Sequence, residues 1–344
     1  MGICMMELHV AEEGYKEKWN NLVLQSPYST GFHTWEFLKV MEKYSTKSIA
    51  GFRQKASLCP LIFSEGGKEI GIMPVFFYAS PLLKIAASPP LGVESYFLGP
   101  LYINYEKEKS STRAAKYLEL IQTIDRYLKK SARTSIIMIH SCPGIDDARP
   151  FIWNGYTVEP RCTSYIPLSG GIESVKQNFS STVVRVIKKC EAVGLTTREG
   201  SEKDLEKIFQ ALLSKERIHP PLEYLLEIYQ KLSKNLKIFV IEKEGLFLSG
   251  MVALLHGRRM SFWIGLPKCS FEGTSPNYLL VWSAIQQAQK DGFETFELMG
   301  NDDLSLFSFK SKFGGTNIPY YNIKWYSPAI RFGHSLYTSL NPKY

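Results

Sequence analysis

Lysine held between aromatic rings is a residue that can meet a developing negative charge, and the segment LFSFKSKFGG presents that arrangement. Phe309, Lys310, Lys312 and Phe313 crowd together ahead of the paired glycines Gly314 and Gly315. Apolar neighbours exclude water and strengthen a charge interaction. The same spacing has a plainer meaning. Phe309 and Phe313, four apart, also fit a core-facing helical stripe that leaves Lys310 pointing outward. Lys312 is assigned to solvent.

A second cationic group lies upstream. Arg185, Lys188 and Lys189 are three and four apart, so on a helix they share one face. Val184 and Ile187 are expected toward the other side, and Gly194 can end the helix. Arginine forks onto phosphate oxygens while lysine acts as a point charge, so this face suits a phosphate as well as it suits plain solvent. In FHTWEFLK, Phe32 and Trp35 are expected in the core, Thr34 as an N-cap and His33 as a satisfied buried histidine. In KERIHPPLEY, His219 can act as a base for an attacking amine or belong to a structural loop. Asp302 and Asp303 are expected to cap the helix after them.

The 344 residues are enough for two ordinary domains, and 44% apolar with 22% charged is a globular profile. A net charge of +8 favours anionic partners: phosphates, nucleic acid or an acidic membrane surface. The six cysteines (Cys4, Cys59, Cys142, Cys162, Cys190, Cys269) include no CxxC pair, so zinc spacing is absent and free thiols are expected. Met6 stands where a myristoylation signal wants Ser or Thr. No signal-like stretch opens the chain and no apolar run approaches a membrane span. The reading is a cytoplasmic protein without a transmembrane segment, with peripheral membrane contact left open.

One unit of organisation is read twice. Helices at about 14–24 and 34–44 precede the strands SIAGFRQ, SLCPLIFS and IGIMPVFFY; a strand YFLGPLYI, the helix TRAAKYLELIQTIDRYLKK and the strand SIIMIHS come next. In the second half, helices near 203–216 and 221–234 precede KIFVIEK, LFLSGMVALLHG and RMSFWIGL, then the helix SPNYLLVWSAIQQAQK and the strand TFELMG. Leu118, Ile121, Ile124 and Leu128 recur at helical spacing, as do Tyr278, Trp282, Ile285 and Ala288. Gly292 suits a helix end and Pro276 a helix start. The predicted class is α/β, two tandem domains with mixed β-sheets. The first covers 1–160 and is completed by about 317–344 as PYYNIKWYSPAI returns to it; the second covers 161–316.

This order of elements resembles the GNAT acyltransferase fold, in which a strand splayed from its neighbour and the helix after it form the cofactor site. The loops NYEKEKSSTR and PKCSFEGTSPN lack the glycine-rich turn of that fold, leaving only Gly273, so the coenzyme A signal is weak. Three stretches then resemble the Fem family of peptidoglycan cross-bridge aminoacyltransferases, within the double-GNAT group. They are GFHTWEFLKVMEKY, the block GYTVEPRCTSYIPLSGGIESVKQNFSSTVVRVIKKCEAVGL, and LLVWSAIQQAQKDGFETFELMGNDDLSLFSFKSKFGG with its Phe-Lys-x-x-Phe-Gly. Glu297 stands where an aspartate is commoner, and it is given no chemistry. No heptad run exists for the helical arm of some members.

The resemblance implies an aminoacyl or acyl transferase that forms an amide on an amine of a phosphate-bearing acceptor. Lys310 would be catalytic and stabilise the tetrahedral oxyanion, as preorganised donors do. Arg185, Lys188, Lys189, Lys39 and Phe309 would face substrate. Aminoacyl-tRNA is the expected donor, with no bound cofactor. The alternatives are an acyl-CoA-dependent N-acyltransferase and a non-catalytic binding protein of the same fold.

Overall fold

The computed structural model describes residues 6–49, 51–103, 105–213, 221–265, 269–300 and 304–332. His219 with its loop, Asp302, Asp303, Cys4 and Gly2 lie outside the described residues. The chain divides into two compact units, Met1–Pro160 with Tyr320–Tyr344, and Arg161–Pro319.

The first unit opens with β1 (Glu7–Val10), α1 (Lys16–Gln25) and α2 (Trp35–Tyr44). Trp35, Phe37, Leu38, Val40 and Met41 of α2 are buried, the apolar face the sequence pattern required. Thr34 occupies the N-cap position, but its hydroxyl turns back to Gly31 O at 2.8 Å. His33 is fully buried and receives the Thr30 N–H on Nδ1 at 3.1 Å. A small hairpin, β2 (Thr46–Ile49) with β3 (Phe52–Lys55), precedes β4 (Ser57–Glu65), β5 (Lys68–Ala79) and β6 (Lys84–Ser88). Then come β7 (Leu101–Tyr102), α3 (Ser110–Arg126), β8 (Ile136–His140), α4 (Arg149–Trp153) and the start of β9 (Thr157–Pro167). Its sheet runs β1-β4-β5-β6-β8, with β7 set against β5. Neighbours are antiparallel except β6 and β8, which pair in parallel from Ile85–Ile136 to Ser88–Ile139 across α3. The third major strand is therefore KIAAS, whereas the sequence pattern favoured YFLGPLYI. Alanine and serine give no β-branched signal, yet these small residues suit a strand buried along its length.

The second unit takes the rest of β9, then α5 (Ile172–Gln177), α6 (Ser181–Ala192), β10 (Thr197–Glu199), α7 (Glu202–Leu213) and α8 (Leu222–Leu232). It continues through β11 (Leu236–Lys243), β12 (Leu246–His256), β13 (Arg259–Gly265), α9 (Pro276–Lys290), β14 (Thr295–Leu298) and α10 (Leu304–Lys310). Strand order is β9-β14-β13-β12-β11-β10, mixed because β13 and β14 alone run parallel. Val183, Ile187 and Cys190 of α6 pack with Tyr278, Trp282, Ile285 and Ala288 of α9 over Ala253, Met260 and Phe296 of the sheet. The last strand, β15 (Thr316–Tyr326), returns to the first unit, where Asn322–Tyr326 pair antiparallel with β8.

Strand–helix–strand order with helices on a mixed sheet, twice over, is the tandem GNAT-like fold. No described helix is long and apolar enough to cross a membrane.

Candidate active site

The functional geometry of the second unit starts where two strands part. β13 and β14 share only the rungs Arg259–Thr295, Met260–Phe296 and Ser261–Glu297. Beyond Ser261, β13 continues to Gly265 paired with β12 alone, and it carries one extra residue: Val252 faces Ile264 while Ala253 faces Phe262. Such a bulge bends a strand and re-aims its side chains. The Phe262 ring lies against Gly265, where an added Cβ would come within 2.2 Å of it. Only glycine admits the ring there.

Lys310, the last residue of α10, reaches into this opening. Its side chain does not point to solvent; the residue is 6% exposed. The ammonium donates to the Met299 carbonyl and, at 2.8 Å, to the Gly300 carbonyl, both just past the end of β14. It also stands 5.3 Å from the centre of the Phe262 ring. The outward-pointing alternative is thereby corrected.

The rest of the Phe-Lys-x-x-Phe-Gly segment fixes that lysine in place. Phe309 and Phe313 meet edge to face at 5.5 Å, and both rings contact Tyr278 of α9 at 4.8 and 5.8 Å. Phe179 adds a further edge contact to Phe313 at 5.3 Å. Phe309 is thus half-buried in an aromatic cluster beside the opening. Gly314 has φ +70°, and a Cβ on it would lie 2.3 Å from Asn178 O, so no other residue fits. Lys312 is not left to solvent: its ammonium is 3.3 Å from the Tyr278 hydroxyl.

The floor of the opening is a buried charge network that no sequence pattern announced. Glu297, at the last rung, is 0% exposed. It accepts from Thr163 Oγ1 at 3.0 Å and Ser261 Oγ at 2.8 Å, and pairs with Arg259 Nε at 3.2 Å. Arg259 also donates to the Tyr165 hydroxyl and lies 5.2 Å over that ring. A carboxylate removed from water needs this set of donors. The network pins β9, β13 and β14 at the level where the last two diverge. Burial, aided by the Arg259 charge, pushes the His256 imidazole down to about 4. That ring is neutral at neutral pH.

The basic helix is joined to the same segment. Ser180, the N-cap of α6, accepts from Val183 N at 3.4 Å and donates its own N–H to Lys312 O at 2.8 Å. Arg185, Lys188 and Lys189 are exposed and line an open depression of about 560 Å³ along α6. Val184, half-buried against the core as expected, also borders this depression, and Ile187 is buried as expected. Lys39 belongs to the first unit and is neutralised there, 2.7 Å from Glu42 Oε2 and 3.9 Å from Glu13 Oε2.

At the start of α9 several backbone groups bond within the turn. Thr274 and Phe271 exchange N–H···O bonds at 2.8 and 3.1 Å, Tyr278 N donates to Ser275 O at 3.2 Å, and Pro276 has no N–H. Glu272 adds a carboxylate beside this turn. Burial raises the Cys190 and Cys269 thiols, so neither is a ready thiolate nucleophile.

Comparison with known proteins agrees with this geometry. Residues 177–311 match the family described as an acetyltransferase (GNAT) domain. No curated protein matches the sequence. Among solved structures, FemX is 12% identical with a TM-score of 0.65, over 92% of this chain and 96% of that one. L-PGS from Bacillus licheniformis is 12% identical at 0.54, covering 98% and 99% of the respective chains. The C-terminal domain of a putative lysylphosphatidylglycerol synthetase from Agrobacterium fabrum is 12% identical at 0.51, covering 90% and 92%. At such identities the likeness is one of fold. Residues 177–311 thus match a GNAT acetyltransferase domain, and the fold of the whole chain is the double-GNAT one seen in FemX.

Proposed function

We propose that the protein transfers an aminoacyl group from aminoacyl-tRNA to an amine of a phosphate-bearing acceptor, as peptidoglycan cross-bridge transferases do. The observation that carries the reading is the Lys310 ammonium, fixed by two carbonyls and an aromatic ring where β13 and β14 part. The amine nitrogen attacks the ester carbonyl, a C–N bond forms and the carbonyl oxygen becomes an oxyanion. Lys310 stabilises that charge. Collapse breaks the C–O bond, and the amine proton passes, directly or through solvent, to the departing tRNA oxygen, which leaves as a hydroxyl. Preorganised cationic stabilisation of this kind costs no reorganisation during the reaction. Arg185, Lys188 and Lys189 hold acceptor phosphates, Arg185 by its fork. Phe309 gives Lys310 an apolar neighbour and faces substrate at the edge of the opening.

A second reading, acyl-CoA-dependent N-acyl transfer, is favoured by the acetyltransferase family match. The Glu272 carboxylate in the turn before α9 and the lack of a glycine-rich turn there speak against it, because a pyrophosphate favours close backbone N–H groups and no nearby anion. The deciding experiment incubates the protein with tRNAs carrying labelled amino acids and a peptidoglycan precursor. Label should pass to the precursor with wild type and not with Lys310→Met. Tight, salt-insensitive binding of an acyl-CoA in calorimetry, with no label transferred, overturns the proposal in favour of the second reading.

A further inference from the structure

Trp153 is 63% exposed, whereas Trp19, Trp35, Trp263 and Trp282 are at most 4% exposed. Its neighbour Ile152 is 53% exposed, and Phe332 is 69% exposed. These three belong to one region of the first unit. Arg331, adjacent to Phe332, donates from Nη2 to Gly155 O at 2.9 Å, just past Trp153. Lys129 donates to Asn154 O at 2.7 Å, which brings the turn after α3 to the same place. Ser327 N also donates to Ser135 O at 2.8 Å. Large apolar side chains scattered singly on a surface need no explanation; three on adjoining segments do.

The charge around them has one sign in excess. Asp147 is held by the Arg149 fork at 2.8 and 2.9 Å, and Asp125 by Lys129 at 2.5 Å. Lys130, Arg133 and Arg331 are exposed on the same segments. The Arg149 guanidinium stands 5.7 Å over the Trp153 ring. Tryptophan with aliphatic and aromatic neighbours, rimmed by cations, is the composition of surfaces that lie at the headgroup boundary of a bilayer.

We propose that this face of the first unit docks on an anionic phospholipid surface. Ile152, Trp153 and Phe332 enter the boundary between headgroups and acyl chains, and Lys130, Arg133 and Arg331 meet lipid phosphates. Docking depends on none of the residues assigned to group transfer.

Vesicle sedimentation tests it. The protein should sediment with vesicles containing about one third phosphatidylglycerol, and hardly with phosphatidylcholine alone. Raising salt well above 0.1 M, where the screening length is about 10 Å, should weaken that binding. Tryptophan emission should shift to the blue on binding, and the shift should vanish in Trp153→Phe. The triple variant Ile152→Ser, Trp153→Ser, Phe332→Ser should keep its circular dichroism and bind at least about tenfold more weakly. Lys130→Gln with Arg133→Gln should reduce the preference for anionic lipid. Equal binding to uncharged vesicles, or binding unaltered in the triple variant, overturns the proposal. So does protection of Trp153 from acrylamide before vesicles are added, since another part of the chain, a second copy or a protein partner would then own the face.

Discussion

Both units bring two parallel strands together across a helix and end the shared ladder on a rung that carries a serine. In the first unit this rung is Ser88–Ile139; in the second it is Ser261–Glu297. Beyond the serine rung the two units differ. In the first unit the chain folds back into the gap: Leu98 N and Gly99 N donate to His140 O at 3.3 and 2.8 Å, and Ser88 Oγ lies 2.6 Å from Leu98 O. Phe97 is fully buried behind them and meets Tyr320 at 4.7 Å. Among the described residues of the second unit, the strand-end carbonyls receive the Lys310 ammonium, which places a charge at the gap. One duplicated frame thus places folded-back backbone at one strand end and a buried lysine at the other. Retention of the opening, rather than the fold, separates the two.

The strongest test of that contrast is the floor of the opening. Glu297→Ala strands the Arg259 guanidinium in the interior and should cost about 3–5 kcal/mol. Ile139→Val, on the sealed rung, should cost only about 0.5–1.5 kcal/mol. Denaturant titrations of both variants check the pair, and similar losses would remove the distinction between a polar and an apolar floor. Lys310→Met comes next. Transfer should fall by about a hundredfold, the scale seen on losing one oxyanion donor. Stability should fall as well, by about 1–3 kcal/mol, because two carbonyls lose a buried donor. Activity that persists while the melting temperature drops would leave Lys310 as a strap and the second opening without a function.

On the sealed side, a Cβ at Gly99 would sit 2.8 Å from His140 O and from Ser141 Cα. Gly99→Ala should therefore cost about 1–3 kcal/mol with turnover per folded molecule unchanged, read by thermal melts beside the transfer assay. Acid should next strain the open half. The His256 imidazole titrates near 4 when folded and near 6.5 when unfolded, so falling pH loads a proton onto the unfolded chain first. Its contribution is complete above pH 6.5 and fades toward pH 4, a loss of up to about 3 kcal/mol that His256→Gln should remove from melts taken across that range. Smallest is Arg185→Ala. Acceptor binding should weaken by about five- to tenfold and its remaining salt dependence should flatten. Loss of donor binding with acceptor binding intact would move α6 to the other substrate.

Much of the frame was legible because it rests on local signals. Apolar spacing marked α2, α3 and α9, Gly194 and Gly292 marked helix ends at φ +71° and +83°, and Pro276 marked a start. β6 was not legible, since KIAAS owes its place to burial between two strands and not to any propensity of its own. Lys310 was identified as a residue, but its burial was not. The groups that hold it, Met299, Gly300 and Phe262, come from β13 and the far side of β14, and no periodicity links them to α10. The role of Glu297 was not legible for the same reason: its partners Thr163, Ser261 and Arg259 stand on other strands, and an isolated glutamate in a β-run carries no sign of them.

The return of β15 to β8 also has a temporal meaning. Tyr321 and Ser141, which bond to each other through both backbone groups and the serine hydroxyl, are 180 residues apart in the chain. At about 5–20 residues per second on a ribosome, the β8 edge waits roughly 10–40 s for its partner. A bare edge in that interval is a template for pairing with another nascent chain. The half of the molecule synthesised first is therefore the half completed last, and a stop codon ahead of Asn322 should release a chain whose second unit folds while its first aggregates.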